Sequence, residues 1–170
     1  MTKQAKIIIG FDPGLADTGF GVIAVNGAKL VCLEYGSLKT PAKTDLPNRL
    51  ANLYQQAKEL LVKYKPDLVG IEQLFFCRNV TTAFQVGQAR GVVMLAIGQQ
   101  QIACLEFTPL QIKQAVAGYG QADKRQIQQM VKLILSLQEI PKPDDAADGL
   151  AAALCAAQSQ STLLAIKAKQ

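Results

Sequence analysis

No histidine and no tryptophan occur in the 170 residues, and aromatic residues make up only 6% of them. The missing histidine removes the usual general base near neutral pH, and with it the Ser-His and Cys-His forms of nucleophile activation. Any hydrolytic chemistry must fall to carboxylates, lysines or bound metal. The four cysteines, Cys32, Cys77, Cys104 and Cys155, include no CxxC pair, so neither a zinc site nor a small disulfide framework is a natural reading. They read as reduced, mostly buried thiols. No apolar run reaches membrane-spanning length, and Ile7-Ile8-Ile9 is too short for the apolar region of a signal peptide. A cytoplasmic protein with no membrane partner is expected.

What is present is a chain 49% hydrophobic, enough for a sizeable core without disulfides or structural metal. Eighteen Lys and Arg against 13 Asp and Glu give a net charge of +5, which favours a polyanionic partner but is also common among proteins with none.

Strands are expected at 6–12, 20–25 and 30–36, the last two joined by Asn26-Gly27, a strong hairpin signal between apolar runs. Leu46, Leu50, Leu53, Ala57, Leu60, Leu61 and Tyr64 then recur at helical spacing until Lys65-Pro66 ends the pattern. A short apolar strand at 68–71 delivers Glu72, and a long helix over 79–100 follows. That helix holds Gly87 and Gly91; glycine inside a helix costs about 1 kcal/mol relative to alanine, which suggests close packing against that face. A strand at 102–107, a short helix at 109–117 and a break at Gly118-Tyr119-Gly120 come next. The helix expected at 123–137 carries Ile127, Met130, Val131, Ile134 and Leu135 on one face. Pro141 and Pro143 precede an alanine-rich helix over 145–158. The pattern is an α/β layered fold with a mixed sheet, one domain over 1–158 and a tail, 159–170, that is either disordered or a source of weak DNA affinity.

Three places end an ordered element in acid. Asp12 closes the first strand before Pro13-Gly14, an arrangement that is also ordinary turn chemistry. Glu72 closes the apolar run Val69-Gly70-Ile71, where an acid is less often decoration. In Asp144-Asp145-Ala146-Ala147-Asp148, positions three or four apart share one helical face, so Asp148 lies beside either Asp145 or Asp144. These acids also serve the helix dipole, but a like-charge pair on one face costs a few tenths of a kcal/mol unless a cation sits between. Carboxylates gathered at one end of a sheet repel, and divalent cations with oxygen ligands would neutralise them. Such a layout suits two-metal phosphodiester hydrolysis, which needs no histidine.

Ile8-Ile9-Gly10-Phe11-Asp12-Pro13-Gly14, Thr18-Gly19-Phe20-Gly21-Val22-Ile23, Ile71-Glu72-Gln73, Gly87-Gln88-Ala89-Arg90-Gly91 and Asp145-Ala146-Ala147-Asp148 together resemble the RuvC family of Holliday-junction resolvases, in order and spacing from about residue 7 to 158. The resemblance implies a ribonuclease-H-like mixed five-stranded sheet flanked by helices, a homodimer, and symmetric nicking of two strands of four-way junction DNA. It further implies Mg²⁺, two ions per active site with Mn²⁺ able to substitute, delivery by a branch-migration helicase complex, and a role in homologous recombination and DNA repair. Position by position, Asp12, Glu72, Asp145 and Asp148 match the family's metal-binding acids, which favours Asp145 over Asp144. Lys113 and Lys124, with Arg125 beside it, match residues near DNA phosphates, although surface lysines are usually just solvated. Phe75 matches an aromatic associated with opening bases at the junction centre; Phe75 and Phe76 otherwise read as core.

Competing readings remain. Asp12-Pro13-Gly14 beside a hairpin also resembles the phosphate loop of actin-like and sugar-kinase ATPases, which need two such domains to enclose ATP. The short ribonuclease-H-like YqgF-type proteins are a second rival, but this chain has the later Glu72-Gln73 and Asp145-Ala146-Ala147-Asp148 context of resolvases. A non-catalytic module that binds branched DNA by charge would be weakened by four carboxylates facing phosphates.

Overall fold

The computed structural model describes residues 5–74 and 80–167. Its strands are β1 Lys6–Asp12, β2 Asp17–Asn26, β3 Lys29–Lys39, β4 Leu68–Glu72 and β5 Cys104–Phe107, in one sheet of order β3-β2-β1-β4-β5. The helices are α1 Leu46–Tyr64, α2 Val80–Gln99, α3 Pro109–Ala117, α4 Lys124–Ile134 and α5 Asp144–Lys167. β1, β2 and β3 form an antiparallel meander, with Gly27 at φ 61° in the tight turn where the sequence places Asn-Gly. β4 and β5 run parallel to β1, each reached through a helical crossover. This is the ribonuclease-H-like architecture with its mixed five-stranded sheet.

β2 and β3 outrun the expected 20–25 and 30–36 because the ladder continues past the apolar stretch, pairing Asp17 with Lys39 and Thr18 with Leu38. Backbone pairing does not depend on side-chain polarity, so hydropathy underestimates such strands.

Successive strand residues face opposite sides and build two cores. Ile9, Phe11, Val22 and Ile71 meet Leu53 and Leu61 of α1 and Val93 and Ile97 of α2. Ile8, Ile23 and Leu68 meet Ile112, Val131 and Leu150 of α3, α4 and α5. On the second face α5 lies with its backbone almost against the sheet. A Cβ at Gly10 would stand 2.1 Å from the Gly149 carbonyl oxygen, and one at Gly19 would stand 1.8 Å from the Asp145 carbonyl oxygen. Only glycine allows that approach, and the buried Ala146, Ala147, Ala152, Ala153 and Ala156 keep the helix side of the contact equally thin. The alanine-rich composition is therefore a docking surface, and it carries the acids at the start of α5 onto the end of β1.

Two helix ends differ from expectation. α4 stops at Ile134, not 137, because Ser136 takes φ 51° and Leu137 N donates to the Lys132 carbonyl at 2.9 Å. α5 continues through the expected tail to Lys167, since neither glycine nor proline interrupts the chain after Gln158. Among the described residues, Cys32, Cys104 and Cys155 are free thiols, and no helix is long and apolar enough to cross a membrane.

Candidate active site

Asp12 is the last residue of β1 and Glu72 the last of β4. The parallel register pairs Phe11 with Ile71, so one step further the two acids are neighbours. Phe11 and Ile71 face α1 and α2, and alternation turns Asp12 and Glu72 toward α5. The turn after Asp12 is fixed from within: the fully buried Thr18 hydroxyl donates to the Gly14 carbonyl at 2.7 Å and accepts from Gly14 N at 3.2 Å.

Asp145 and Asp148 arrive from α5. One carboxylate oxygen from each of Asp12, Asp145 and Asp148 can be chosen so that all three lie within 4.8 Å of one another. Of the two sequence alternatives, Asp145 joins Asp148 in this cluster. Asp144 faces outward, its side chain 68% exposed, and pairs with Lys124 at 3.6 Å.

A cavity of about 240 Å³ opens beside the cluster, lined by Asp12, Glu72, Asp148, Lys113 and Lys124, with Ile112 and Ile127 beneath. Lys124 Nζ stands 3.2 Å from Asp148 Oδ2. Glu72 thus shares the cavity without belonging to the tightest group of oxygens. Arg125 points elsewhere, into a separate groove with Tyr119 and Gln129. Phe75 and Phe76 lie outside the described residues.

Like charges and low hydration dominate the electrostatics. Burial, reinforced by the charges of Asp148 and Asp145, pushes the Asp12 carboxyl from its ordinary 3.8 up to about 7, against an opposing pull from Lys124. Burial, then Asp12 and Asp148, pushes Glu72 from 4.5 up to about 8, with Lys113 opposing. Asp148 is raised by burial too, while Lys124 works in the other direction. All the donors are hard carboxylate oxygens, so the set fits a divalent cation that would relieve their repulsion.

The shifts carry a stability consequence. A carboxyl whose folded pKa exceeds its unfolded value keeps its proton in the fold after the unfolded chain has lost its own, so stability falls as pH rises between the two values. For Asp12 and Glu72 that window runs from about 4 to about 8. In EDTA, melting should therefore drop by roughly 5 °C or more across it, equivalent to a loss of about 2 kcal/mol for a domain of this size. Millimolar Mg²⁺ should remove most of the drop. A scan of melting temperature against pH with and without Mg²⁺ checks this; equal slopes in both would contradict it.

Arg90 on α2 has a place here that sequence reasoning did not give it. Within Gly87-Gln88-Ala89-Arg90-Gly91, Arg90 is the residue that reaches the site, donating from Nε to the Glu72 carbonyl at 3.2 Å. The pairing of Lys124 with Asp148 was also unforeseen, because it joins two helices distant in sequence.

Known proteins resemble this chain over most of its length. The family model described as "Crossover junction endodeoxyribonuclease RuvC" matches residues 8–156. The chain belongs to the RuvC family. A curated RuvC from Desulfitobacterium hafniense (strain DSM 10664 / DCB-2) is 54% identical over 157 residues, covering 92% of this chain and 95% of the relative. Another RuvC, from Heliobacterium modesticaldum, is 50% identical over 153 residues, covering 90% and 94%. Among solved structures, Thermus thermophilus RuvC in complex with a Holliday junction substrate superposes with a TM-score of 0.83 at 35% identity, covering 88% of this chain and 92% of that one. The yeast mitochondrial resolvase Ydc2, at 16% identity and a TM-score of 0.61 over 91% of this chain and 80% of that one, shares the fold. RuvC members bear the name of an endodeoxyribonuclease, and an acidic cluster at the sheet end suits that class of enzyme.

Proposed function

We propose that this chain resolves Holliday junctions by symmetric, metal-assisted hydrolysis of phosphodiesters in two strands, serving homologous recombination and DNA repair. The observation that carries this reading is the convergence of Asp12, Asp145 and Asp148, with Glu72 alongside, at a cavity that also holds Lys113 and Lys124. The four acids are assigned as metal ligands. Mg²⁺ is the preferred ion, two per site, because the donors are all oxygen; Mn²⁺ can substitute. Bound there, the ions supply an activated water and stabilise the leaving oxygen.

The chain's own residues do the rest. Asp12 and Glu72 are held rigid by adjacent strand ends, and α5 presents Asp145 and Asp148 from above. Lys124, which pairs with Asp148 at 3.2 Å, would be free to meet a DNA phosphate with the acids held by cations, and Lys113 would meet the backbone from the same wall. Arg125, in its own groove, would contact phosphate further along an arm. Phe75 is assigned to stacking at the junction centre, where each stacked base returns roughly 1–3 kcal/mol. An ATP-binding reading is disfavoured, because the cavity is lined by acids that repel a triphosphate and one domain does not enclose it. Charge-only binding is disfavoured for the same electrostatic reason.

A homodimer fits the symmetry of the substrate. Phe84, Gly87, Gly91, Leu95 and Gly98 recur along one side of α2; Phe84 is 70% and Leu95 54% exposed, and nothing lies within 4 Å of a Cβ built at Gly91 or Gly98. A Cβ at Gly87 would meet Leu74 Cδ2 at an ordinary 3.6 Å, but no described residue comes within 4 Å of one at Gly91 or Gly98, which favours a second copy there. Leu95→Glu should keep the fold and yield monomers in sedimentation, whereas wild type sediments as a dimer; an unchanged dimer would remove α2 from the interface. The nuclease domain over 1–158, a cytoplasmic location and delivery by a branch-migration helicase complex belong to the same reading.

A synthetic four-way junction incubated with enzyme in Mg²⁺ should be cut into two nicked duplexes. The same junction in EDTA, and a linear duplex of identical sequence in Mg²⁺, should stay intact. Cutting of the duplex at an equal rate would overturn the assignment.

A further inference from the structure

We infer that Arg90 is a positioning residue for Glu72, standing in for a backbone hydrogen bond that Pro13 cannot make. In the sheet, Val69 N donates to the Ala103 carbonyl at 2.9 Å and Gln73 N to the Phe107 carbonyl at 2.8 Å. Odd-numbered residues of β4 thus turn their polar backbone groups toward β5, and even-numbered ones turn theirs toward β1. With Phe11 opposite Ile71, the next partner of the Glu72 carbonyl in the parallel ladder is the N–H of residue 13. That residue is proline, which has no N–H.

The carbonyl beneath a candidate metal ligand is therefore left without its ladder donor. Arg90 fills the gap: Nε donates to the Glu72 carbonyl at 3.2 Å, while its terminal Nη2 donates to the Glu106 carboxylate on β5. The Arg90 side chain is only 19% exposed and its bond to the Glu72 carbonyl is half-buried, whereas the Glu106 carboxylate at its other end is 42% exposed. One guanidinium joins α2, the end of β4 and β5, and fixes the residue from which the Glu72 carboxylate projects. Lysine cannot replace it, because a single ammonium does not span the fork. Groups that orient a metal ligand typically govern metal affinity or activity by about 10–100-fold.

This inference rests on the reading of Glu72 as a metal ligand, so Glu72→Gln is measured in parallel. Wild type, Arg90→Lys, Glu72→Gln and Arg49→Ala are compared by Mn²⁺ binding in solution without DNA, by junction affinity in EDTA, and by single-turnover cleavage. Arg49, bonded to Thr40 away from the cavity, controls for general loss of an arginine anchor. Arg90→Lys should weaken Mn²⁺ binding about tenfold and slow cleavage at least as much, with junction affinity in EDTA unchanged within about twofold. Arg49→Ala should move melting temperature alone. If Arg90→Lys fails to fold, Glu106→Ala, which removes the far anchor of the guanidinium, should show the same pattern with smaller amplitude. Mn²⁺ binding and cleavage within about twofold of wild type in the Arg90 or Glu106 variant, while Glu72→Gln loses both, overturns the positioning role. Normal binding and cleavage in Glu72→Gln would instead overturn the reading of Glu72 beneath it.

Discussion

Asp12→Asn should bind a four-way junction yet cleave it at least ~10³-fold more slowly, and in EDTA at pH 8 it should melt several degrees above wild type. The two effects have one origin. Asp12 sits among Asp145, Asp148 and Glu72 in a poorly hydrated pocket that lifts its pKa to about 7, so above that pH its charge is held at a cost to the fold. The amide keeps the shape and removes the charge, which relieves the metal-free protein. It is also a poorer cation ligand, and cation-assisted attack depends on the placement of every donor. A thousandfold loss corresponds to about 4 kcal/mol of barrier. Junction affinity in EDTA should hold or rise, because Lys113 and Lys124 then face one fewer negative charge. Calorimetry in EDTA together with single-turnover cleavage in Mg²⁺ checks both halves; normal cleavage, or a lower melting temperature, would contradict the account.

Gly19→Ala should be the most damaging single-methyl change in the chain. Its Cβ would stand 1.8 Å from the Asp145 carbonyl oxygen, a backbone atom that moves only if the start of α5 moves. Lifting α5 separates Asp145 and Asp148 from Asp12 and opens the alanine contact that forms much of one core. The expected loss is roughly 3 kcal/mol or more, in the range of severe core overpacking, with cleavage undetectable even in the fraction that folds. Gly91→Ala is the contrasting case. Open space surrounds that position, so the monomer should gain up to about 1 kcal/mol of helix propensity. Chemical denaturation of the two variants side by side measures the difference; similar stability in both would mean that α5 does not rest on Gly19 as described.

Much of the site could be read from the residues, because Asp12 and Glu72 each end an apolar strand and strand ends gather at one rim of a sheet. The hairpin, the mixed character of the sheet and the helical stripes follow from turn chemistry, the order of elements and periodicity. What periodicity could not supply was depth. Hydropathy assigns no role to the glycines at 10, 19 and 70 or to the alanines of α5, and only their contact shows that each makes room for the other. Neither half carries the meaning alone. The choice between Asp144 and Asp145 was open by spacing, and helix phase decides it: α5 turns Asp145 into the cluster and Asp144 out toward Lys124. Arg90 escaped because its function depends on a missing N–H at Pro13, a feature of the ladder register that hydropathy does not encode. Of the two glycines on α2, Gly87 meets Leu74 at ordinary contact distance, while Gly91 meets nothing among the described residues, so the close packing expected of that face is not made at Gly91 within the chain.

The central claim is that the acids of β1, β4 and α5 hold divalent cations at the reacting phosphate. Anomalous diffraction from crystals of the Asp12-containing protein grown with Mn²⁺ and a junction that cannot be cut tests it most directly. The account predicts Mn²⁺ peaks bounded by Asp12, Glu72, Asp145 and Asp148, beside a phosphate approached by Lys124. Mn²⁺ bound only elsewhere, with the junction in place and these carboxylates free of metal, would contradict it.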